Sequence, residues 1–294
     1  MKNSGALLLL IAAVFYGQAQ SVMISGNSTR NAAGVVSGTA NFSPQRFVPQ
    51  AILNAPYSGE QIQEHQQVLA DGTHINQVNS RQMMYRDSQG RTRTERSMFP
   101  GIDRNGTGQQ SPQVVEITDP VQGVSYTLDT TNKIAHRVTL QQPPSAQNRA
   151  PVRTVPPPTV LPNGGVVGAA RVGDFSAALP AVGARIAASQ AHITNERLGI
   201  QVIDGITVEG TRMTRTIAAN SEGNDRDFYV ISENWTASDL RLTIYSKTSD
   251  PRTGDNITRY ANLSLNDPDP SLFLPPPDYQ IVDETGQFSI RFGQ

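Results

Sequence analysis

The stretch VSYTLDTTNKIAHRVTL, residues 124–140, decides the class of fold that this chain can adopt. Apolar and polar side chains alternate strictly over its first six residues, and Ile134, Val138 and Leu140 then share one face of a second run. A period of two is typical of a β-strand with one buried face. The polar residues between the runs are typical of a tight turn. The stretch therefore predicts an antiparallel hairpin.

Similar runs fill much of the chain, separated by short turn signals at Asp71-Gly72, Asp87–Gly90, Asp204-Gly205 and Asp250–Gly254. Consecutive hairpins predict an antiparallel meander. We therefore expect a mainly β fold: a curved meander of about eleven strands that forms an open half-barrel. It would include one short Ala-rich helix near 175–189 and a Pro-rich linker, because prolines do not fit a sheet interior.

Composition shifts along the chain predict its organisation, although they leave open whether the two β halves form one sheet or two modules. The expected segments are a signal peptide (1–19), a low-complexity lead-in that is tethered or disordered (20–56), a first β half (57–140), the Pro-rich linker with its short helix (141–192), a second β half (193–283) and a C-terminal edge strand or tail (284–294).

The first nineteen residues predict export. Lys2 precedes an apolar run over Gly5–Tyr16, and the small residues Gly17 and Ala19 suit a cut after Ala19. The run is shorter than the roughly 20 residues of a membrane span, so none is expected in the mature chain. The chain has no Cys, which excludes disulfides. Its net charge of −1 would not attract the negatively charged backbone of a nucleic acid. We expect a periplasmic or extracellular protein without a nucleic-acid partner.

Two groups of motifs resemble known bacterial proteins. They are Tyr85–Arg93 with Thr118–Pro120 and Tyr126–Asp129, and Trp235–Leu240 with Asp250–Gly254, Asp267–Phe273 and Pro277–Tyr279. Together they resemble a group of uncharacterised secreted bacterial proteins. More distantly, their order is similar to the periplasmic lipoprotein-carrier and sigma-factor-regulator half-barrels. In those proteins a strand ending in Trp meets a hairpin, and a Leu-Phe pair before a proline closes the fold. The resemblance does not identify any position of this chain with a ligand-binding residue of those proteins.

Trp235 is the only tryptophan, and Tyr229, Ile231 and Tyr245 lie near it in strand order. Together they would line an apolar cavity, although simple packing of Trp235 into a core is the alternative. Our principal hypothesis is therefore an exported, non-enzymatic protein that binds an apolar or lipid-like ligand on a curved sheet.

An arginine strip is the basis of a second hypothesis. Arginine recurs through one hairpin region, at Arg81, Arg86, Arg91, Arg93, Arg96 and Arg104. Arg86, Arg91, Arg93 and Arg96 would form an anion-binding or partner-binding edge of an envelope interaction module. The alternative is a solvated edge strand whose charges block aggregation.

Enzymatic chemistry has little support. The chain has no Gly-x-Ser-x-Gly elbow. Asp267 and Asp269 are paired carboxylates and the only basis for a third hypothesis, an envelope polymer hydrolase, but the flanking prolines favour a rigid turn. No cofactor or metal is predicted, because the histidines are scattered, at His65, His74, His136 and His192.

Overall fold

The computed structural model describes residues 22–30, 36–44, 46–98, 113–142, 159–160, 166–167 and 192–292. Within them lie seventeen strands and one 3-10 helix, Pro270–Phe273. The strands are β1 Val22–Arg30, β2 Val36–Ser43, β3 Tyr57–Val68, β4 His74–Arg86, β5 Thr92–Ser97, β6 Gln113–Asp119, β7 Val124–Asp129, β8 Ile134–Thr139, β9 Thr159–Val160, β10 Val166–Val167, β11 His192–Ile203, β12 Ile206–Ile217, β13 Phe228–Ala237, β14 Leu242–Asp250, β15 Gly254–Ser264, β16 Gln280–Asp283 and β17 Phe288–Phe292. The predicted Ala-rich helix and most of the Pro-rich linker lie outside the described residues.

Twelve strands form one open sheet, in the order β11-β12-β13-β14-β15-β3-β4-β5-β6-β7-β8-β16. Neighbouring strands within this sheet are antiparallel, except that β16 runs parallel to β8. This confirms the predicted mainly β, antiparallel fold. Strand β15 pairs with β3, so strands of both β halves belong to the same sheet.

Several hairpin turns use the same local device, an aspartate at the end of the incoming strand. The Asp87 carboxylate accepts the backbone N–H groups of Gln89 at 3.1 Å and Arg91 at 2.8 Å. The carboxylates of Asp119, Asp129 and Asp250 cap their own turns in the same way. Glycine follows at positive φ in three of these turns, at Gly90, Gly123 and Gly254. The turn sequences therefore determine where the strands end.

A second, three-stranded sheet packs on one face of the large sheet, in the order β1-β2-β17. Ala40 and Phe42 of β2 lie in a core with Phe288 of β17 and Val114 of β6. The prediction of a disordered lead-in is wrong for residues 36–44. Their few apolar side chains gain stability only because β17 and β6 supply the other half of the core.

The opposite face of β6 is covered by the 3-10 helix. Val115 packs with Phe273, and successive residues of a strand point to opposite faces, so Val114 and Val115 belong to different cores. Residues 270–292, which we call the C-terminal strap, therefore cover one face through Phe273, pair with the edge strand β8 through β16, and cover the other face through β17.

The register of the β3–β4 hairpin places the histidines His65 and His74 on different faces of the sheet. Val68 pairs with His74, and His65 pairs with Gln77. Because His65 and Val68 are an odd number of residues apart on β3, His65 and His74 lie on opposite faces.

Candidate functional site

The four predicted ligand residues share a face but divide into two groups along it. Tyr229, Ile231 and Trp235 occupy alternate positions of β13, and Tyr245 of β14 pairs directly with Trp235. The six residues from Tyr229 to Trp235 correspond to about 20 Å along the strand. Trp235 and Tyr245 therefore lie well away from Tyr229.

Trp235 belongs to a packed core. Its indole ring covers Gly210 of β12 so closely that a methyl group on Gly210 would overlap the ring. It packs against a cluster of buried residues: Ala55, Ile206, Val208, Ala237, Leu240 and Ile244. Trp235 is thus partly buried and packed against this core.

Tyr229 and Ile231 instead line an open cleft of about 380 Å³, which we call the hairpin-tip cleft. It lies beside the start of β13, where the β3–β4 and β14–β15 hairpins end. Its lining residues are Gln66, Gln67, Val68, His74, Asn76, Tyr229, Ile231, Ser249, Asp250, Pro251, Gly254 and Asp255. Tyr229 is 52% exposed and Val68 is 62% exposed, so both offer apolar surface to a ligand.

The two carboxylates of the cleft are held in their charged form. Arg252 donates from Nε to Asp250 Oδ1 at 2.9 Å and from Nη2 to Oδ2 at 2.7 Å, and these bonds lower the pKa of Asp250 to about 2. Burial alone would raise the pKa of Asp255, but hydrogen bonds from Lys247 and Ser249 hold it below its ordinary value. Both side chains therefore carry negative charge at neutral pH.

Replacing Asp250 by Asn is expected to lower the stability of the protein at neutral pH by about 1 kcal/mol, because the charged bonds to Arg252 are lost. The folded pKa of about 2 lies below the ordinary 3.8, so this stabilisation is present above about pH 4 and disappears as the pH falls toward 2. Urea unfolding of both proteins at about pH 7 and about pH 2.5 measures the difference. A difference that is equally large at both pH values would contradict the assignment.

Arg86 is buried in the fold. Only 3% of the residue is exposed, its Nε donates to the carbonyl of Ala55 at 2.7 Å, and its Nη2 donates to the carbonyl of Leu240. The guanidinium also lies 4.8 Å from the centre of the Tyr57 ring. Arg86 therefore joins two loops to the sheet and offers no surface to a partner in this structure.

The other predicted arginines of the strip are engaged in pairs. Arg91 binds Asp87, Arg93 Nε donates to Glu95 at 2.7 Å, and Arg96 Nε donates to Glu116 at 3.2 Å. Arg93 also donates to the carbonyl of Leu272 in the C-terminal strap at 2.9 Å. The expectation of an edge strand is wrong, because β5 lies between β4 and β6. Arg104 lies outside the described residues.

Asp267 and Asp269 are engaged in hydrogen bonds within the fold. Asp267 accepts the Ser88 N–H at 3.2 Å and the Ser88 hydroxyl at 2.5 Å, while Asp269 caps the 3-10 helix by accepting the Ser271 N–H at 2.8 Å. In the part of the chain that is described, no three His, Asp or Glu side chains are grouped to hold a metal ion. No helix there has the length and apolar character of a membrane span.

Sequence reasoning missed most of the cleft lining. Val68 and His74 belong to the β3–β4 hairpin, whereas Asp255 comes from β15, far along the chain, and Asp250 is visible in the sequence only as a turn residue. The available signal was nearness to Trp235 in strand order, and of the cleft lining it identified Tyr229 and Ile231 alone.

Comparison with known proteins gives only weak similarities. No protein-family model matches the chain, and no curated protein matches its sequence. Among solved structures, the Pseudomonas aeruginosa MucA/MucB complex is 12% identical over 77% of this chain, with a TM-score of 0.33. This chain spans 58% of that chain's length.

Two further solved structures have lower scores. LprF from Mycobacterium bovis is 10% identical, with 73% of this chain and 90% of that chain covered and a TM-score of 0.25. A putative outer membrane lipoprotein-sorting protein domain from Vibrio parahaemolyticus is 6% identical, with 72% and 86% covered and a TM-score of 0.21. The chain is thus an open antiparallel β-sheet protein with a cleft on one face, and these scores assign it to no family.

Proposed function

We propose that this chain is an exported, non-enzymatic protein that binds an apolar or lipid-like ligand in the hairpin-tip cleft. The observation that carries the proposal is the group of accessible apolar side chains, Val68, Tyr229 and Ile231, in a cleft of about 380 Å³. Ligand sites in proteins are concave and roughly 300–1,000 Å³ in volume, and they combine apolar side chains with placed polar groups.

The location that we propose is the bacterial envelope or the extracellular space, after cleavage near Ala19. This rests on the charged start, apolar run and small residues of the first nineteen positions. The interaction module is a weaker proposal, because Arg91, Arg93 and Arg96 already bind carboxylates within the chain. We do not propose the hydrolase, since Asp267 binds Ser88 and Asp269 caps the 3-10 helix.

Replacing Tyr229 by Ala is expected to weaken binding of a neutral alkyl probe about tenfold, because the ring supplies much of the exposed apolar surface in the cleft. The probe is decyl maltoside below its critical micelle concentration, titrated into the mature chain (residues 20–294) by isothermal calorimetry. Tyr245→Ala is the matched control, since Tyr245 pairs with Trp235 outside the cleft and should leave affinity unchanged.

Two outcomes would contradict the proposal. If the unsubstituted protein does not bind the probe, no apolar ligand site is present. If Tyr245→Ala weakens binding and Tyr229→Ala does not, the ligand binds beside Trp235, and the site lies about 20 Å from the cleft.

A further inference from the structure

We propose that the ligand of the hairpin-tip cleft is an amphiphile with a positively charged ammonium group. This inference rests on the proposed function and specifies the chemistry of the ligand. The cleft combines two carboxylates, Asp250 and Asp255, with one accessible aromatic ring, Tyr229, and neither Lys nor Arg is among its described lining residues.

The signs of the lining charges favour a cation. Asp250 and Asp255 remain ionised, and the other polar side chains of the lining are Gln66, Gln67, His74, Asn76 and Ser249. A negative head group would therefore meet like charge with neither Lys nor Arg in the lining, where His74 is the only group that can become cationic. A positive head group would meet two carboxylates.

The cations that pair with these carboxylates do not line the cleft. Lys247 binds Asp255 at 2.7 Å, while Arg252 binds Asp250 and Glu222 and lies 4.9 Å from the centre of the Phe228 ring. A carboxylate has about four lone-pair sites on its two oxygens, so an ion pair within the protein leaves it able to accept from an ammonium N–H. A quaternary ammonium has no N–H and is attracted by charge alone, so neither kind of head group need displace Lys247 or Arg252.

Tyr229 adds an attraction that is specific to cations. Aromatic ring faces attract ammonium groups, and quaternary ammonium ligands are commonly recognised in this way. Half of Tyr229 is exposed at the cleft. Val68, Ile231 and Pro251 supply the apolar lining that the hydrocarbon part of the ligand requires.

A second cleft of the chain shows a different arrangement. It has a volume of about 390 Å³ beside β8 and β16, and its lining includes Arg46 and Arg137 as well as Asp283 and Glu284. Cations and anions are both present there, and the lining favours neither sign. The hairpin-tip cleft differs from this second cleft because the Lys and Arg partners of its carboxylates lie outside its lining.

Three probes with the same alkyl chain test the inference: decyltrimethylammonium, decyl maltoside and decyl sulfate, each below its critical micelle concentration and at low ionic strength. They are titrated by calorimetry into the mature chain. We expect the ammonium probe to bind about tenfold more tightly than the maltoside, and the sulfate to bind most weakly. Asp255→Asn should reduce the preference for the ammonium probe severalfold.

Asp283→Asn is the matched control, because Asp283 is an ion-paired carboxylate that lies outside the hairpin-tip cleft. Equal binding of all three probes would overturn the ammonium inference and leave the proposed apolar site intact. Tightest binding of the sulfate would overturn it as well. Absence of binding for all three would overturn the proposed function itself.

Discussion

Replacing Arg86 by Met is expected to lower the free energy of unfolding by about 3 to 5 kcal/mol, because two buried carbonyl groups lose their donor. The Arg86 guanidinium donates to the carbonyls of Ala55 and Leu240. These residues lie in the segment before β3 and in the turn between β13 and β14. Methionine retains the apolar stem but cannot donate a hydrogen bond. Urea unfolding followed by circular dichroism measures the change.

The effect should be specific to this arginine. Arg81 lies on the same strand β4, but its side chain is 53% exposed and forms one surface pair with Glu60. Surface ion pairs contribute less than about 1 kcal/mol, so Arg81→Met is the matched control. Similar losses for the two variants would show that Arg86 does not hold the loops together. The buried charge of Arg86 would then be stabilised by something other than its hydrogen bonds to Ala55 and Leu240.

The contrast between these arginines shows the limit of the sequence as a guide. Local alternation alone determines that Arg93 and Glu95 share one face of β5 while Arg96 lies on the other, because side-chain direction follows from a period of two. It could not show that β6 would pair with β5 and convert a supposed edge into an interior strand. That pairing joins segments separated by residues 98–112, and local alternation does not determine it.

The same distinction explains the prediction of the fold and of the cleft. Hairpins were predictable because aspartate and glycine at turns such as Asp87–Gly90 act within a few residues. The packing of β2 against β17 was not predictable, because each strand contributes few apolar side chains and depends on a partner about 250 residues away. A local sequence window does not extend over that distance. The cleft brings Val68, Ile231 and Asp255 together only through the register of neighbouring strands.

Removing either aromatic anchor of the C-terminal strap is expected to have a similarly large effect. Phe273 is completely buried against β6 and β7, and Phe288 stacks on Phe42 with 5.5 Å between ring centres in the core on the opposite face. Replacing a buried phenylalanine by alanine costs about 3 to 5 kcal/mol. Leu274, which is 48% exposed, is the control within the strap, and Leu274→Ala should cost less than about 1 kcal/mol.

Because the two anchors lie on opposite faces of the sheet, their losses should be additive unless the strap detaches as one unit. Together they would remove about 6 to 10 kcal/mol, which is comparable to the whole stability of a typical domain. The double variant Phe273→Ala/Phe288→Ala should therefore be largely unfolded, whereas each single variant retains the sheet, as measured by amide hydrogen exchange of β6 and β8. If each single variant instead speeds amide exchange in both β16 and β17, the strap unfolds cooperatively. Strand β16 would then transmit the loss from one face of the sheet to the other around the edge at β8.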